Sequence, residues 1–335
     1  MSTLDGKSIL VTGGTGSFGQ AFVRTVLERC KPKRLAIFSR DELKQSQMAM
    51  DPRFANRQEL RFLIGDVRDK DRLSMAMRGI DTVVHAAAMK QVPTAEYNPF
   101  ECLRTNVWGA ENVVRAALDT GVKRVLALST DKAANPINLY GASKLAAEKI
   151  FVAANNLSGG TDTRFSVVRY GNVLGSRGSV LPLFQRLIAE GAKELPVTDE
   201  RMTRFWITLQ QGVDFVLSSM SMMRGGEIFV PRIPSMTVVD MAKAVAPELP
   251  VKVIGIRPGE KLHEVLMCED EARLALELDD RFIIEPAFSF WRSKPYADRG
   301  ANRVSDGFAY TSNTNTMWMS IDQLRDLLQR PGALA

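Results

Sequence analysis

The stretch SILVTGGTGSFGQ, Ser8 to Gln20, decides the fold. Five residues of β type, Ser8–Thr12, run into Gly13-Gly14-Thr15-Gly16-Ser17-Phe18-Gly19 and then into an amphipathic pattern over Gln20–Arg29. The glycines satisfy GxGxxG through Gly14, Gly16 and Gly19, and GxxGxxG through Gly13, Gly16 and Gly19. A motif of this kind that follows a strand and opens a helix has a physical purpose. The tight turn and side-chain-free approach let a pyrophosphate sit at the helix N-terminus, where free N–H groups and the dipole favour anions. A dinucleotide bound there is expected to meet Gly13, Thr15, Gly16, Ser17, Phe18 and Gly19. Glycines used only for a tight turn are the plainer alternative.

Outward from this turn, strand patterns recur at Leu35–Ser39, Leu60–Ile64, Thr82–Ala86, Arg124–Ser129 and Phe165–Tyr170. They are rich in Val, Ile, Leu or Phe without polar alternation, as strands buried on both faces should be. Amphipathic stretches lie between them at Leu73–Arg78, Ala110–Asp119 and Leu139–Asn155. Strand–helix alternation with short links predicts an α/β fold, a doubly wound parallel sheet of the Rossmann type. After Asn172 the rhythm loosens and Pro182, Pro196, Pro231, Pro234 and Pro258 punctuate it. A dinucleotide-binding domain over residues 1–171 and a smaller C-terminal α/β substrate lobe over 172–335 are expected, interleaved near 200–235. Met220–Met223 reads as the apolar end of a helix. Residues 295–312 are polar, and no element is legible there.

The ends of the strands suggest what the dinucleotide is. The second ends at Ser39-Arg40, where a carboxylate would bind a ribose 2′-hydroxyl and repel a 2′-phosphate. Arg40, with Lys44 a turn later, favours NADP over NAD, although Asp41 could still take a hydroxyl. Asp66, with Val67 after it, stands where an adenine amino group could be read, or caps the next helix. Ala86 belongs to a run of small residues that lets backbone pass near the cofactor. His85 reads as a hydrogen-bonded core residue rather than a catalyst, and Lys90 is placed to meet a phosphate or ribose.

Composition excludes several classes. The 335 residues are 45% hydrophobic and 24% charged, ordinary globular values. The net charge is +6, but positive and negative residues alternate, as in Arg68-Asp69-Lys70-Asp71-Arg72, so a nucleic-acid surface is not expected. Cys30, Cys102 and Cys268 stand far apart and there are two histidines, which argues against a metal site and for reduced thiols. The N-terminus is too polar for a signal peptide, and no uncharged apolar run approaches the ~18–20 residues of a membrane span. A soluble, cytoplasmic protein is expected.

The stretch STDKAANPINLYGASK, Ser129–Lys144, is where chemistry is expected. Tyr140 and Lys144 form YxxxK, one turn apart on one helix face, and Thr130 ends the preceding strand. An ammonium beside a phenol, with a cationic nicotinamide close by, should lower the tyrosine's pKa toward neutrality and let it take a hydroxyl proton. An exposed helix face is the plainer alternative.

The Gly13–Gly19 turn with Tyr140 and Lys144 resembles the extended short-chain dehydrogenase/reductases. More narrowly, SRDELKQSQMAM, STDKAANPINLYGASK, RYGNVLGSRGSV and IRPGEKLHE resemble the inverting UDP-N-acetylglucosamine 4,6-dehydratases, soluble enzymes that open pseudaminic acid synthesis. One departure is Gln91, where relatives tend to carry His. Related dehydratases have an Asp-Glu pair as acid and base after the fifth strand; here the pair is Asp131-Lys132. The resemblance implies Asp131 as acid for the 6-hydroxyl and Lys132 as base for the carbon 5 proton, with Lys132 uncharged at rest. It also implies that NADP stays bound and is regenerated in each turnover, and that the assembly is a homo-oligomer, a hexamer among the forms.

The resemblance places Lys90, Asn172, Arg177, Arg204, Arg257 and Glu260 around UDP-N-acetylglucosamine, with Val173 near the cofactor. From the residues alone, each arginine is equally a ligand contact or a structural ion pair. The competing readings are a UDP-sugar 4-epimerase or ketoreductase on the same Tyr–Lys pair, and a non-catalytic NADP-sensing protein.

Overall fold

The computed structural model describes residues 3–176, 179–288 and 296–330. Six strands carry the N-terminal half: β1 (Ser8–Thr12), β2 (Arg34–Ser39), β3 (Leu60–Ile64), β4 (Thr82–His85), β5 (Arg124–Thr130) and β6 (Arg164–Tyr170). Their spatial order is β3-β2-β1-β4-β5-β6, all parallel. The order reverses between β1 and β4, so the loops leaving both strands part and leave a crevice at their carboxyl ends.

Helices cover both faces. α1 (Ser17–Arg29) follows β1, α2 (Glu42–Met50) follows β2 and α3 (Lys70–Met77) follows β3. After β4 come α4 (Val92–Tyr97), α5 (Pro99–Leu103), a π-helical turn over Arg104–Trp108 and α6 (Gly109–Thr120); α7 (Leu139–Leu157) follows β5. Coverage on both sides leaves β1 and β4 wholly buried, as their unbroken apolar runs require. β3 departs from that expectation. It is a sheet edge whose Ile64 is 49% exposed, since no strand lies beyond it.

The second half builds a smaller lobe with its own core, then returns to the first. β7 (Asn172–Val173), α8 (Val180–Ala189), β8 (Leu195–Val197) and β9 (Thr203–Ile207) open the lobe around Phe184, Met202, Trp206 and Met241. α9 (Leu209–Met222) then packs on α1, and β10 (Ile228–Pro231) joins the main sheet parallel to β6. The strands at Arg281–Ile284, Ala275–Glu277 and Asn302–Arg303 extend that sheet in antiparallel fashion. Met220 and Met223 are buried at the end of α9, as expected. In the polar tail that offered no pattern, Tyr296 is buried and its hydroxyl donates to Glu227 Oε1 at 2.7 Å. Long-range pairing, invisible to local periodicity, orders that segment. Among the described residues no helix is long and apolar enough to cross a membrane, and no cluster of side chains could hold a metal ion.

Candidate active site

One cavity of about 1140 Å³ opens at the carboxyl ends of the parallel strands and runs between the two lobes. Its first wall is the turn after β1. Gly13 has φ +67°, and a Cβ there would lie 2.8 Å from the Ala87 amide nitrogen, so only glycine fits. No side chain caps Gly16 at the start of α1, and the first turn carries no acidic residue. The positive end of the helix thus faces the cavity, lined by Gly13, Thr15, Gly16, Ser17, Phe18 and Gly19.

Ser39, Arg40, Lys44, Asp66, Val67, Ala86 and Lys90 continue that wall. Asp41 does not. Its carboxylate accepts from Lys44 N at 3.0 Å as the cap of α2 and pairs with the Lys44 ammonium, so capping uses the group that might have met a ribose. The alternative that Asp66 caps the following helix is also resolved: Asp69 caps α3, while Asp66 binds Arg68 and lies 3.6 Å from Arg40 Nη1. His85 is a core residue, with Nδ1 2.8 Å from Thr12 Oγ1, and burial holds its imidazole down at about 3.

The second wall is the turn after β5 together with the first turns of α7. Thr130 Oγ1 donates to Asp131 Oδ1 at 2.6 Å, and Lys132 Nζ lies 3.2 and 3.3 Å from the two Asp131 oxygens. Asn138 caps α7 and donates to Gly259 O at 2.8 Å, tying the helix to the 257–260 loop. The face of α7 that carries Tyr140 and Lys144 is buried, not exposed. Lys144 Nζ donates to Leu128 O at 2.7 Å. One turn on, Glu148 pairs with the fully buried Arg169, which also binds Glu271 and Leu266 O; this clamps α7 to β6.

The charges of these groups differ from the sequence expectation in two respects. Burial works against an ammonium on Lys132, but the carboxylates of Asp131 and Glu264 outweigh it and push its pKa up. Lys132 is therefore charged at rest, not neutral, because it is clasped by two anions. Burial would also raise Asp131, yet Lys132, Thr130 and Arg204 hold it below the ordinary carboxylate value. Tyr140 is pushed up to about 12 rather than toward neutrality: burial is the largest cause, Asp131 adds to it, and Lys132 and Thr130 oppose it. Lys144, by contrast, is lowered by burial to about 8.

The second lobe closes the cavity with Asn172, Val173, Arg204, Arg257 and Glu260, while Arg177 lies outside the described residues. Arg204 settles as a wall residue. Its guanidinium donates to the carbonyls of Thr203, Lys261 and Leu262 and pairs with Glu264. Arg257 is half-exposed, 3.8 Å from Glu260. Glu264, Trp206, Ser179 and Arg186 also line the cavity and were not singled out from the sequence. Glu264 ends the motif IRPGEKLHE, so a signal for it was present.

Among the described residues, eight buried side-chain polar atoms lack a partner. Seven of them, on Thr105, Ser129, Asn172, Ser179, Trp206, Glu260 and Glu264, belong to residues that line this cavity. Since buried polar groups are nearly always paired, such a wall is shaped for a large polar ligand.

The chain matches the model of a family described as polysaccharide biosynthesis protein over residues 9–286. Two Campylobacter jejuni proteins named UDP-N-acetylglucosamine 4,6-dehydratase (inverting) are 54% and 55% identical to it. The matches cover 97% and 96% of this chain, and 98% and 97% of those proteins. The chain belongs to the inverting UDP-N-acetylglucosamine 4,6-dehydratase family. A solved X-ray structure of Pen from Bacillus thuringiensis superposes with a TM-score of 0.88 at 39% identity, covering 97% of this chain and 98% of that one. In this family setting the Asp131-Lys132 pair, the buried Tyr140 and the uncapped α1 N-terminus share one cavity.

Proposed function

We propose that the chain removes water across carbons 5 and 6 of UDP-N-acetylglucosamine with inversion at carbon 5, with NADP as its resident cofactor. The observation that carries the reading is the Asp131–Lys132 pair, joined at 3.2 Å in the wall that also holds Tyr140 and Lys144. An epimerase built on Tyr140 and Lys144 has no use for that pair.

A nicotinamide dinucleotide supplies the hydride acceptor and donor that this chemistry needs. The turn Gly13–Gly19 and the open end of α1 suit its pyrophosphate. Arg40 and Lys44 favour a 2′-phosphate, and the nearby carboxylates oppose one little: Asp41 is turned into its helix cap and Asp66 is matched by Arg68. Asn172, Arg257 and Glu260 line the sugar-nucleotide side, with Arg177 assigned there from the sequence.

Asp131 and Lys132 share one proton. When it sits on the carboxyl, Lys132 is an uncharged base that takes the carbon 5 hydrogen while Asp131 protonates the departing 6-hydroxyl. Both residues are then back in the charged form in which the structure holds them. This replaces a permanently neutral Lys132 with one that is neutral only in passing. Tyr140, a neutral phenol at rest, relays the 4-hydroxyl proton: it passes its own proton to Lys144 in the uncharged form, which a pKa of about 8 makes accessible, and takes up the proton of the 4-hydroxyl. The wider reading is a cytosolic homo-oligomer at the first step of pseudaminic acid synthesis, with residues 1–171 and 172–335 as its cofactor and substrate domains.

The test mixes purified protein with UDP-N-acetylglucosamine in deuterated water, adding no cofactor. NMR should show a 4-keto-6-deoxy product inverted at carbon 5 and deuterated there. A product changed only at carbon 4, or no turnover even after NADP is added, would refute the reading.

A further inference from the structure

Lys132 is held from two sides, and only one of them belongs to its own turn. Across the cavity, Glu264 Oε1 lies 3.4 Å from Lys132 Nζ and 3.4 Å from Arg204 Nε. Arg204 is locked in turn by the carbonyls of Thr203, Lys261 and Leu262, and the Glu264 amide donates to Ser312 Oγ at 2.9 Å. The side chain of Glu264 is 3% exposed, and its Oε2 is buried without a partner among the described residues. A buried, immobilised carboxylate with one free oxygen is hard to explain as packing alone.

We propose that Glu264 is a positioning residue of the dehydration site, a charged strut from a distant segment of the chain that holds the Lys132 amine in line with Asp131. The inference rests on Lys132 acting as the base. Asp131 alone leaves Lys132 free to swing about its own backbone, because the two are chain neighbours. The contact with Glu264 adds a second anchor, rooted 132 positions away in the chain, and so fixes the amine's direction.

The titratable and charged groups around this contact are Asp131, the neutral phenol of Tyr140, Arg204, Lys261 and the pair itself. His263 is adjacent in sequence but bonds Thr203 instead. Burial, and then the charge of Asp131, raise Glu264 above the ordinary carboxylate value, whereas Asp131 is held below it. The two carboxyls therefore lose their charge in different pH ranges. As pH falls, Glu264 is protonated first, the strut loses its charge and the dehydration rate should fall.

Glutamine is the permanently uncharged form of this residue. Glu264→Gln should lower kcat at neutral pH by on the order of 10²-fold, the scale of an ångström's misplacement, with KM for UDP-N-acetylglucosamine little changed. Its rate should match the acid plateau of the native enzyme, and the acidic limb assigned to Glu264 should vanish from the pH profile. Glu264→Asp keeps the charge and should restore that limb at a lower rate. A native rate in Glu264→Gln, or an acidic limb that persists there, overturns the proposal. Lys132→Ala, run alongside, separates the two ideas. If it too keeps the native rate, the reading of Lys132 as base has failed; if it is inactive while Glu264→Gln is normal, only the strut has.

Discussion

Replacing Gly141 with alanine puts tertiary contact against local propensity. The residue lies in the first turn of α7, where alanine is the better helix former by about 1 kcal/mol. Its φ is not positive, so the backbone raises no objection. A Cβ at this position, however, would lie 2.2 Å from the carbonyl oxygen of Lys132 and 3.1 Å from Pro136 Cβ, more than an ångström short of an ordinary contact with the oxygen. The obstacle is backbone, so α7 and the Asp131–Ala133 turn must move apart. Overpacking of this kind costs about 1–3 kcal/mol, and a clash with backbone belongs at the upper end of that range, so after the propensity gain the net loss is up to about 2 kcal/mol. The activity effect is larger, because the shift separates Lys132 from Tyr140. An ångström of misplacement reduces kcat on the order of 10²-fold. Thermal unfolding should show a Tm lower by a few degrees, and the dehydration assay a rate lost at near-native NADP affinity. A variant with native Tm and native rate would refute the reasoning.

Three further outcomes follow from the same geometry. Lys144 is held near 8 against 10.5 unfolded, so the unfolded chain binds more protons between those values and stability should rise with pH there. The full extent is about 3 kcal/mol; urea titrations from about pH 8 to about pH 9.5 should show the rise, and Lys144→Met should flatten it. Arg40→Ala should weaken NADP by about tenfold or more and leave NAD nearly unchanged, read by calorimetry; an equal loss for both nucleotides removes Arg40 from 2′-phosphate selection. Arg169→Met strands Glu148 and Glu271 as unpaired buried carboxylates and should destabilise the fold by about 3–5 kcal/mol in denaturant unfolding, a value near zero being incompatible with the clamp described.

The N-terminal half was legible because its signals are local. β1, β3 and α7 begin where the apolar runs and capping residues place them, and every cofactor position expected from the strand ends lines the cavity except Asp41. Asp41 lies outside that lining for a local reason the sequence also contained, since an Asp just before a helix is a cap. The second half was harder to read. Its short strands at Ala275–Glu277, Arg281–Ile284 and Asn302–Arg303 take their partners from residues distant in the chain.

What the amino-acid order settled by itself was the dinucleotide turn, the parallel sheet and the presence of Asp131, Lys132, Tyr140 and Lys144 in one stretch, because strand–turn–helix geometry depends on neighbours. What only the folded chain decided was the charge those groups carry. Lys132 keeps its charge in a buried wall because Asp131 beside it and Glu264, 132 positions away, together outweigh burial, and Tyr140 stays a neutral phenol because the cavity removes it from water. Burial and proximity set protonation, and both are properties of three-dimensional packing rather than of the order of residues.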